Sequence, residues 1–282
     1  MQCLFTKYAI FPGGLYKGPC FRYDKGIPMR KEGKNMVYQL LFSPTGGTRA
    51  VADALATGQV IDLTDCDTDF SAVQLTAEDV AVIAVPSYGG RVPEIAAQRL
   101  TRVQGGSARA VLVCVYGNRA YEDTLVELAD LAAAAGFRVV AAVAALAEHS
   151  IARMYAAGRP DEADKAVLGT LWEKIRAKLD AGDDTVPALP GQRPYKPRGT
   201  RTMVPRTSKR CVACGRCTLG CPVGAIDPRD PRRTDPTRCI GCMRCVQICP
   251  VGARQPDPDA LAALVQHLEP LCADRKENEL FL

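Results

Sequence analysis

Two cysteine runs near the carboxyl end constrain what this chain can fold into more than any other feature. The first run places cysteines at 211, 214, 217 and 221, and the second, offset by 28 residues, places them at 239, 242, 245 and 249. Both runs have the spacing C-x2-C-x2-C-x3-C and end in the same five residues, Cys-Pro-Val-Gly-Ala. The chain has 13 cysteines in 282 residues, and eight of them lie in this internal repeat. Such a repeat indicates metal chemistry.

The spacing within each run is typical of iron–sulfur ligands. Three cysteines separated by two residues let one tight loop wrap a cubane cluster, and the fourth, followed by proline, reaches the other cluster. Two 4Fe–4S clusters are therefore predicted. The ligand sets are Cys211, Cys214, Cys217 and Cys249 for one cluster, and Cys239, Cys242, Cys245 and Cys221 for the other. Zinc competes for any four thiolates, but zinc ribbons need neither the third cysteine nor the Cys-Pro terminator.

On these two runs, residues 209–256 resemble the bacterial-type ferredoxins that carry two 4Fe–4S clusters. The resemblance implies a small α+β ferredoxin-like domain. One departure is Met243, which stands where the first run has Gly215. A side chain there could change the N–H contacts to the cluster sulfurs, so we expect the two reduction potentials to differ.

A second pattern surrounds residues 43–48, which read S-P-T-G-G-T. A short apolar run precedes them and helical spacing follows, so the loop joins a strand to a helix N-terminus. Backbone N–H groups and the hydroxyls of Ser43, Thr45 and Thr48 can bind a phosphate there. The loop has neither the lysine of G-x-x-x-x-G-K-[ST] nor the pattern G-x-G-x-x-G. A monophosphate ester therefore fits better than a nucleoside triphosphate or a dinucleotide.

The region from 36 to 182 alternates between strand and helix patterns. Strands are predicted at 37–42, 60–63, 80–85, 110–116 and 139–146. Helices are predicted from 49 and at 93–103, 121–135 and 161–179. Alternation of this kind predicts an α/β fold with a doubly wound parallel sheet, whose ligand lies beyond the strand carboxyl ends. Turns containing glycine and tyrosine follow the third and fourth strands, where they could flank a planar ring from two sides.

These residues resemble the flavodoxin family, because S-P-T-G-G-T matches its phosphate-loop pattern [ST]-x-T-G-x-[ST]. The resemblance implies a flavodoxin-like, five-stranded parallel sheet that binds FMN, with Tyr88 stacking on the ring and the Gly117–Asn118 backbone near its polar edge. The implied FMN-binding residues are Ser43, Thr45, Gly46, Gly47, Thr48, Ser87, Tyr88, Gly89, Gly117 and Asn118. One departure is that no tryptophan lies in these loops.

Charge is unevenly distributed along the chain. The net charge is +5, yet residues 1–35 and 183–210 each carry +5 and residues 36–182 carry −5. Because the positive charge lies in a tail and a linker, we do not predict nucleic-acid binding. The proline- and arginine-rich segment 183–208 is predicted to be a linker. We slightly favour a solvated spacer over a segment that lies against the acidic region.

The two ends of the chain carry weaker patterns. Residues 1–35 show no periodicity, and Lys31-Glu32-Gly33 can be encoded by a bacterial ribosome-binding site just before Met36. We hypothesise that translation starts at Met36 and that residues 1–35 are a leader; a disordered extension is the alternative. Residues 257–282 are predicted to form a short helix, capped by Asp259, and a tail. No export signal and no apolar span of about 20 residues is present, so we expect a cytoplasmic chain with reduced thiols.

The whole chain resembles the flavodoxin–ferredoxin fusion proteins of anaerobic microbes. The resemblance implies electron transport with low-potential partners. We predict an electron-transfer protein that relays electrons between two 4Fe–4S clusters and FMN and on to a partner redox enzyme. The alternative is a flavin-dependent reductase of a small molecule, fed by its own clusters. Neither a nicotinamide fingerprint nor an acid–base constellation is visible, which favours the carrier. A third interpretation is a flavodoxin-like domain that has lost FMN and serves as a docking surface.

Overall fold

A six-stranded sheet organises the first part of the described chain. The structure is a computed structural model, and it describes residues 36–199 and 203–282. The strands are β1 (Val37–Leu41), β2 (Gln59–Asp62), β3 (Val80–Pro86), β4 (Arg109–Tyr116), β5 (Arg138–Leu146) and β8 (Glu279–Phe281). Their order is β2-β1-β3-β4-β5-β8, and the first five are parallel. The order β2-β1-β3-β4-β5 is the flavodoxin-like one, so the predicted fold class is confirmed. The hypothesis about residues 1–35 falls outside the described residues.

Four helices cover the sheet on both faces. Helices α1 (Gly47–Leu55) and α4 (Glu162–Asp180) pack on one face, and α2 (Glu94–Leu100) and α3 (Thr124–Ala134) pack on the other. The central strands are therefore buried on both sides, which is why they read as continuous apolar runs rather than alternating ones. Between β2 and β3 the chain forms only a short 3-10 turn, Phe70–Ala72.

The sixth strand, β8, was not predicted. It pairs antiparallel with β5 through only three residues, with Val143 opposite Leu280. A segment so short has no periodicity to detect, and its strand state depends on the free edge of β5. Helix α7 (Pro258–Leu268) was predicted, but its cap is Asp257 rather than Asp259. Pro258 occupies the first helical turn, where its missing N–H costs nothing, so the cap falls one residue before it.

The cysteine runs fold as two copies of one backbone. Each run contains a short helix, α5 (Arg216–Leu219) in the first and α6 (Arg244–Gln247) in the second. Strands β6 (Arg206–Thr207) and β7 (Arg254–Gln255) pair antiparallel and bring the beginning of the first run beside the end of the second. Residues with positive φ recur at the same 28-residue offset, at Ala213 and Gly241, Gly215 and Met243, and Gly224 and Gly252. The sequence repeat is thus a repeat of backbone conformation.

The described part of the proline-rich segment is not a solvated spacer. Residues 191–198, which we call the strap, lie along α3 and the loop before it. Arg193 contacts Asp130 with its Nη2 2.6 Å from Oδ1, and the Lys196 backbone N–H donates to Asp123 at 2.7 Å. The interpretation that we slightly favoured is therefore wrong, and the segment lies against the acidic region because its charges meet carboxylates there.

Candidate functional site

The fold brings together the four cysteines of one predicted ligand set. Cys221, Cys239, Cys242 and Cys245 line a single cavity, together with the apolar side chain of Ile226. Cys221 comes from the first run and the other three come from the second. The crossover of the fourth cysteine, on which the predicted sets depend, is therefore present in the chain path.

The chemistry of this cavity suits a metal cluster. Burial raises the pKa of Cys242 to about 12, and the neighbouring thiolates, of which Cys245 contributes most, add to the shift. Burial likewise raises the pKa of Cys245 to about 11. Four thiols this close cannot all ionise unless a cation lies among them. Iron in a 4Fe–4S cluster supplies that charge, so the donor set fits the predicted group.

Backbone donors point at the fourth cysteine of each run. The Ala225 N–H donates to Cys221 Sγ at 3.3 Å, and the Ala253 N–H donates to Cys249 Sγ at 3.2 Å. The two bonds are related by the same 28-residue offset. Hydrogen bonds to the sulfurs stabilise thiolates and help to set the potential of a bound cluster.

The other predicted ligand set, which takes three cysteines from the first run, is more open to solvent. Its members are Cys211, Cys214, Cys217 and Cys249. The Ser208 N–H donates to the Ala253 carbonyl at 2.8 Å, which fastens the start of the first run beside the end of the second. Cys217 is buried, whereas Cys214 is exposed. The two sets thus differ in exposure although they share one backbone.

One buried charge distinguishes the two halves of the repeat. Arg254 is only 2% exposed, and its first-run counterpart is Ile226. Its Nη1 lies 2.9 Å from Thr234 Oγ1 and 4.0 Å from Cys245 Sγ. Its Nη2 donates to the Pro231 carbonyl, while Nε has no partner among the described residues. A guanidinium therefore lies beside one predicted ligand set with part of its donor capacity unused.

The loop between β1 and α1 holds the predicted phosphate-binding residues Ser43, Thr45, Gly46, Gly47 and Thr48. Gly46 has φ +96° and open space around its Cα, since a Cβ there would meet nothing within 4 Å. Gly46, at the N-cap of α1, has no side chain to cap the helix. The Ser43 hydroxyl accepts from the Arg49 N–H in the first turn of α1 at 2.9 Å. The start of α1 can accept an anion.

The loop after β3 holds the predicted residues Ser87, Tyr88 and Gly89. Tyr88 and Arg91 close a tight turn, with the Tyr88 N–H donating to the Arg91 carbonyl at 2.9 Å. The Asp123 N–H donates to the Gly90 carbonyl at 3.1 Å, and the Ser87 hydroxyl lies 2.8 Å from that of Thr124. The loop after β3 is therefore bonded to the start of α3, where the loop after β4 ends.

The loop after β4 holds Gly117 and Asn118, and the carboxyl-terminal segment covers it. Asn118 Nδ2 donates to the carbonyls of Cys272 at 3.0 Å and Asp274 at 2.8 Å. Lys276 Nζ donates in return to the Asn118 carbonyl at 2.5 Å. The backbone expected to meet the polar edge of a flavin is thus engaged by residues 272–276, which nothing in the local sequence predicted.

The second cysteine run lies against the phosphate loop. Arg244 Nη1 donates to the Pro44 carbonyl at 3.1 Å. Met243 lines one cavity with Thr45 and Gly47, and the remaining lining residues are Glu148, Ser150, Arg153, Val246 and Gln247. The carboxyl edge of the sheet and the second run thus form one site.

Two further side chains connect the cysteine runs to the sheet. Burial raises the pKa of Tyr88 well above its ordinary value, and the charge on Cys242, a predicted ligand, adds to the shift. Arg99 on α2 donates to the carbonyls of Leu63 and Pro222, each at 2.6 Å. Sequence reasoning missed Arg99 because it falls on an amphipathic helix like any surface arginine.

Comparison with known proteins agrees with this division of the chain. Residues 210–253 match the family described as a 4Fe-4S dicluster domain. The chain joins a flavodoxin-like fold to a ferredoxin-type dicluster domain. No curated protein sequence matches it. Among helices of residues 36–199 and 203–282, none combines the length and apolar character that crossing a membrane requires.

Three solved structures are similar to part of this chain. The Megasphaera elsdenii flavodoxin is 18% identical, with 39% of this chain and 85% of that chain covered and a TM-score of 0.32. The Streptococcus pneumoniae flavodoxin is 17% identical, with 50% and 99% covered and a TM-score of 0.33. The rubredoxin oxygen:oxidoreductase of Desulfovibrio gigas is 16% identical, with 51% and 35% covered and a TM-score of 0.35.

Proposed function

We propose that this chain is an electron carrier that passes electrons between two 4Fe–4S clusters and FMN, and on to a partner redox enzyme. The clusters would be held by the two cysteine sets of residues 211–249, and FMN by the loops at the carboxyl edge of the sheet. FMN supplies a centre that takes one or two electrons, whereas each cluster takes one at a time. The flavin-dependent reductase remains the alternative.

The observation that carries this proposal is the contact between the second cysteine run and the phosphate loop. Arg244 reaches the Pro44 carbonyl, and Met243, the residue after Cys242, shares a cavity with Thr45. The charge on Cys242 also raises the pKa of Tyr88, the proposed stacking residue, after the larger effect of burial. A cluster at Cys239, Cys242 and Cys245 would therefore lie next to a flavin bound at this edge.

The phosphate end of the flavin site is ready to bind. The backbone at Gly46 and Gly47 and the Thr48 hydroxyl stand at the start of α1, where a phosphate would meet backbone N–H groups and the positive end of the helix dipole. The ring end is engaged, because Asn118 bonds to residues 272–274. Binding of the ring beside Asn118 would require this carboxyl-terminal segment to give way.

The contact between Asn118 and the carboxyl-terminal segment favours a second candidate function. If residues 272–276 stay on Asn118, the flavodoxin-like fold would serve as a scaffold that positions a ferredoxin, without flavin of its own. The two candidates differ in cofactor content, which makes them easy to separate.

The deciding experiment is anaerobic purification of the full chain with measurement of iron, labile sulfide and FMN per polypeptide. We expect about eight irons and one FMN. The variant Thr45→Asp, which places a carboxylate in the phosphate loop, should lose FMN and keep its iron, whereas Thr101→Asp at an exposed position should keep both. About eight irons without FMN would favour the scaffold, and a chain that binds no iron anaerobically would refute both candidates.

A further inference from the structure

The 28-residue repeat gives the two cysteine runs equivalent outer surfaces, but only that of the second run packs against the flavodoxin-like fold. In the second run, Ile240 packs against the main core, Arg244 bonds to Pro44, and Gln247 lines the cavity at the phosphate loop. These residues attach the second run to the flavodoxin-like fold. The same backbone exists once more in the first run, on the other side of the repeat.

The first-run counterparts of these three residues are Val212, Arg216 and Leu219. Val212 is 64% exposed and Leu219 is 69% exposed, although both are large apolar residues. Arg216 is also exposed, and no partner for its side chain is found among the described residues. The surface that docks a redox fold in the second run is therefore free in the first.

The charge of this surface is positive. Residues 206–220 contain no acidic side chain, and Lys209 and Arg210 are both exposed beside Cys211. Arg232 joins them, with its Nη2 3.2 Å from the Cys211 carbonyl. We call this surface the docking face, and it comprises Lys209, Arg210, Val212, Arg216, Leu219 and Arg232.

We propose that the docking face binds an acidic one-electron carrier protein, and that electrons enter or leave through the cluster held by Cys211, Cys214, Cys217 and Cys249. This rests on the proposed function. Apolar residues surrounded by positive charge suit a protein partner with an acidic rim, because opposite charges steer the encounter and the apolar centre excludes water. Cys214 is exposed between Val212 and Arg216, so a cluster held by it would lie close to the contact.

The transfer involves one electron and no bond changes. A reduced carrier is oxidised by one electron, and the oxidised cluster of the first run is reduced by that electron. The electron then passes to the cluster of the second run, which faces the phosphate loop. The fold thus gives the two clusters an order, with the first outside and the second inside.

The test measures electron entry into the full chain with both clusters in place. The probe is a reduced acidic flavodoxin, mixed anaerobically with the oxidised protein while bleaching of the clusters is followed at several ionic strengths. We compare the wild type with Arg210→Glu/Arg216→Glu, and with Lys174→Glu/Arg176→Glu on α4 as a control carrying the same charge change. The rate of reduction by a small non-protein reductant is measured for all three.

We expect the wild-type rate to fall as ionic strength rises, and the docking-face variant to react at least about tenfold more slowly at low ionic strength. The α4 control should stay within about twofold of the wild type, and the small reductant should act equally on all three. Equal slowing of both variants, or a wild-type rate independent of salt, would overturn the proposal.

Iron content and the electron paramagnetic resonance spectrum separate this proposal from the proposed function. A wild-type chain that holds both clusters and accepts electrons from the small reductant, but not from the flavodoxin, would refute the docking face and leave the carrier function standing. A chain without clusters would refute the carrier function and the docking face with it.

Discussion

Single residues decide how the two halves of the repeat differ. Arg254 and Ile226 occupy the same position, and both are buried. A buried guanidinium is costly unless negative charge compensates it. The Arg254 Nη1 donates to the Cys245 sulfur at 4.0 Å. A cluster bound there would gain negative charge on reduction, and Arg254 would stabilise that state.

Replacing Arg254 with isoleucine, the residue at the equivalent position 226, tests whether Arg254 stabilises a reduced cluster. In Arg254→Ile we expect the midpoint potential of the cluster bound by Cys245 to fall by some tens of millivolts, where about 59 mV is a tenfold change for one electron. A redox titration followed by electron paramagnetic resonance measures both midpoints. Arg254→Lys should keep the potential nearer the wild type, and Arg229→Ile, at an exposed site, should leave it unchanged. An unaltered midpoint in Arg254→Ile would contradict the prediction.

At the scale of elements, the strap depends on a row of carboxylates on and before α3. Asp123, Glu127 and Asp130 face it, and Arg198 Nη2 lies 2.7 Å from Glu127 Oε1. Hydrogen bonds from Arg119, and further from Lys196, lower the pKa of Glu122 to about 2. The strap is thus held by groups that must stay ionised.

The pH dependence of stability follows from that lowered pKa. A carboxyl whose pKa is lower in the folded chain stabilises it fully above its ordinary pKa of 4.5, and this contribution disappears as pH falls from there towards about 2. We expect the melting temperature to be level between about pH 7 and pH 5 and to fall below that range. Glu122→Gln should melt lower at pH 7 and decline less on acidification. Glu162→Gln, at an exposed site, should follow the wild type; identical slopes for all three would contradict us.

The carboxyl-terminal segment is the second element whose role can be tested. Deleting residues 272–282 removes β8 and uncovers Asn118. We expect FMN to bind at least about tenfold more tightly, because no segment has to be displaced, while the melting temperature falls by several degrees. Flavin fluorescence titration and thermal unfolding measure the two effects. The milder variant Lys276→Ala should also tighten FMN binding and lower the melting temperature. An unchanged FMN affinity in both variants would contradict the idea that the carboxyl-terminal segment covers the flavin site.

At the scale of the whole molecule, a few contacts join the dicluster domain to the sheet edge. Arg99 connects Leu63, the residue after β2, to Pro222, the residue after a predicted cluster ligand. Met243 keeps the left-handed backbone of its counterpart Gly215, with φ 59° against 74°. Its buried side chain contributes to the cavity at Thr45. A methionine in glycine's conformation is explained by this contact between domains.

Loss of Arg99 should loosen the two domains without releasing the clusters. In Arg99→Ala the Leu63 and Pro222 carbonyls lose their partner, which costs about 1–3 kcal/mol. We expect faster hydrogen exchange in residues 203–255 and at Pro44–Thr48, with iron content unchanged. Arg102→Ala, which removes an exposed ion pair with Asp69 just after the same helix, should exchange like the wild type. Loss of iron from Arg99→Ala would show that the residue supports the clusters themselves.

The sequence by itself determined the local patterns of this protein. The five parallel strands and the phosphate loop follow from apolar runs and from Gly/Ser/Thr composition, because strand burial and a helix N-terminus are read over few residues. The cysteine spacing likewise predicted a dicluster domain, since three ligands lie within one turn of chain. None of these patterns requires knowledge of a distant residue.

Only the tertiary structure decided how these parts meet. The strap along α3, strand β8 on β5, the segment over Asn118 and the bond from Arg244 to Pro44 join residues far apart in the chain. The last of these spans 200 residues. Such contacts depend on which edge or carbonyl the fold leaves free, and a charged or short segment carries no periodicity that names its partner. For the same reason, the sequence predicted both clusters, but the fold decided which of the two runs faces solvent.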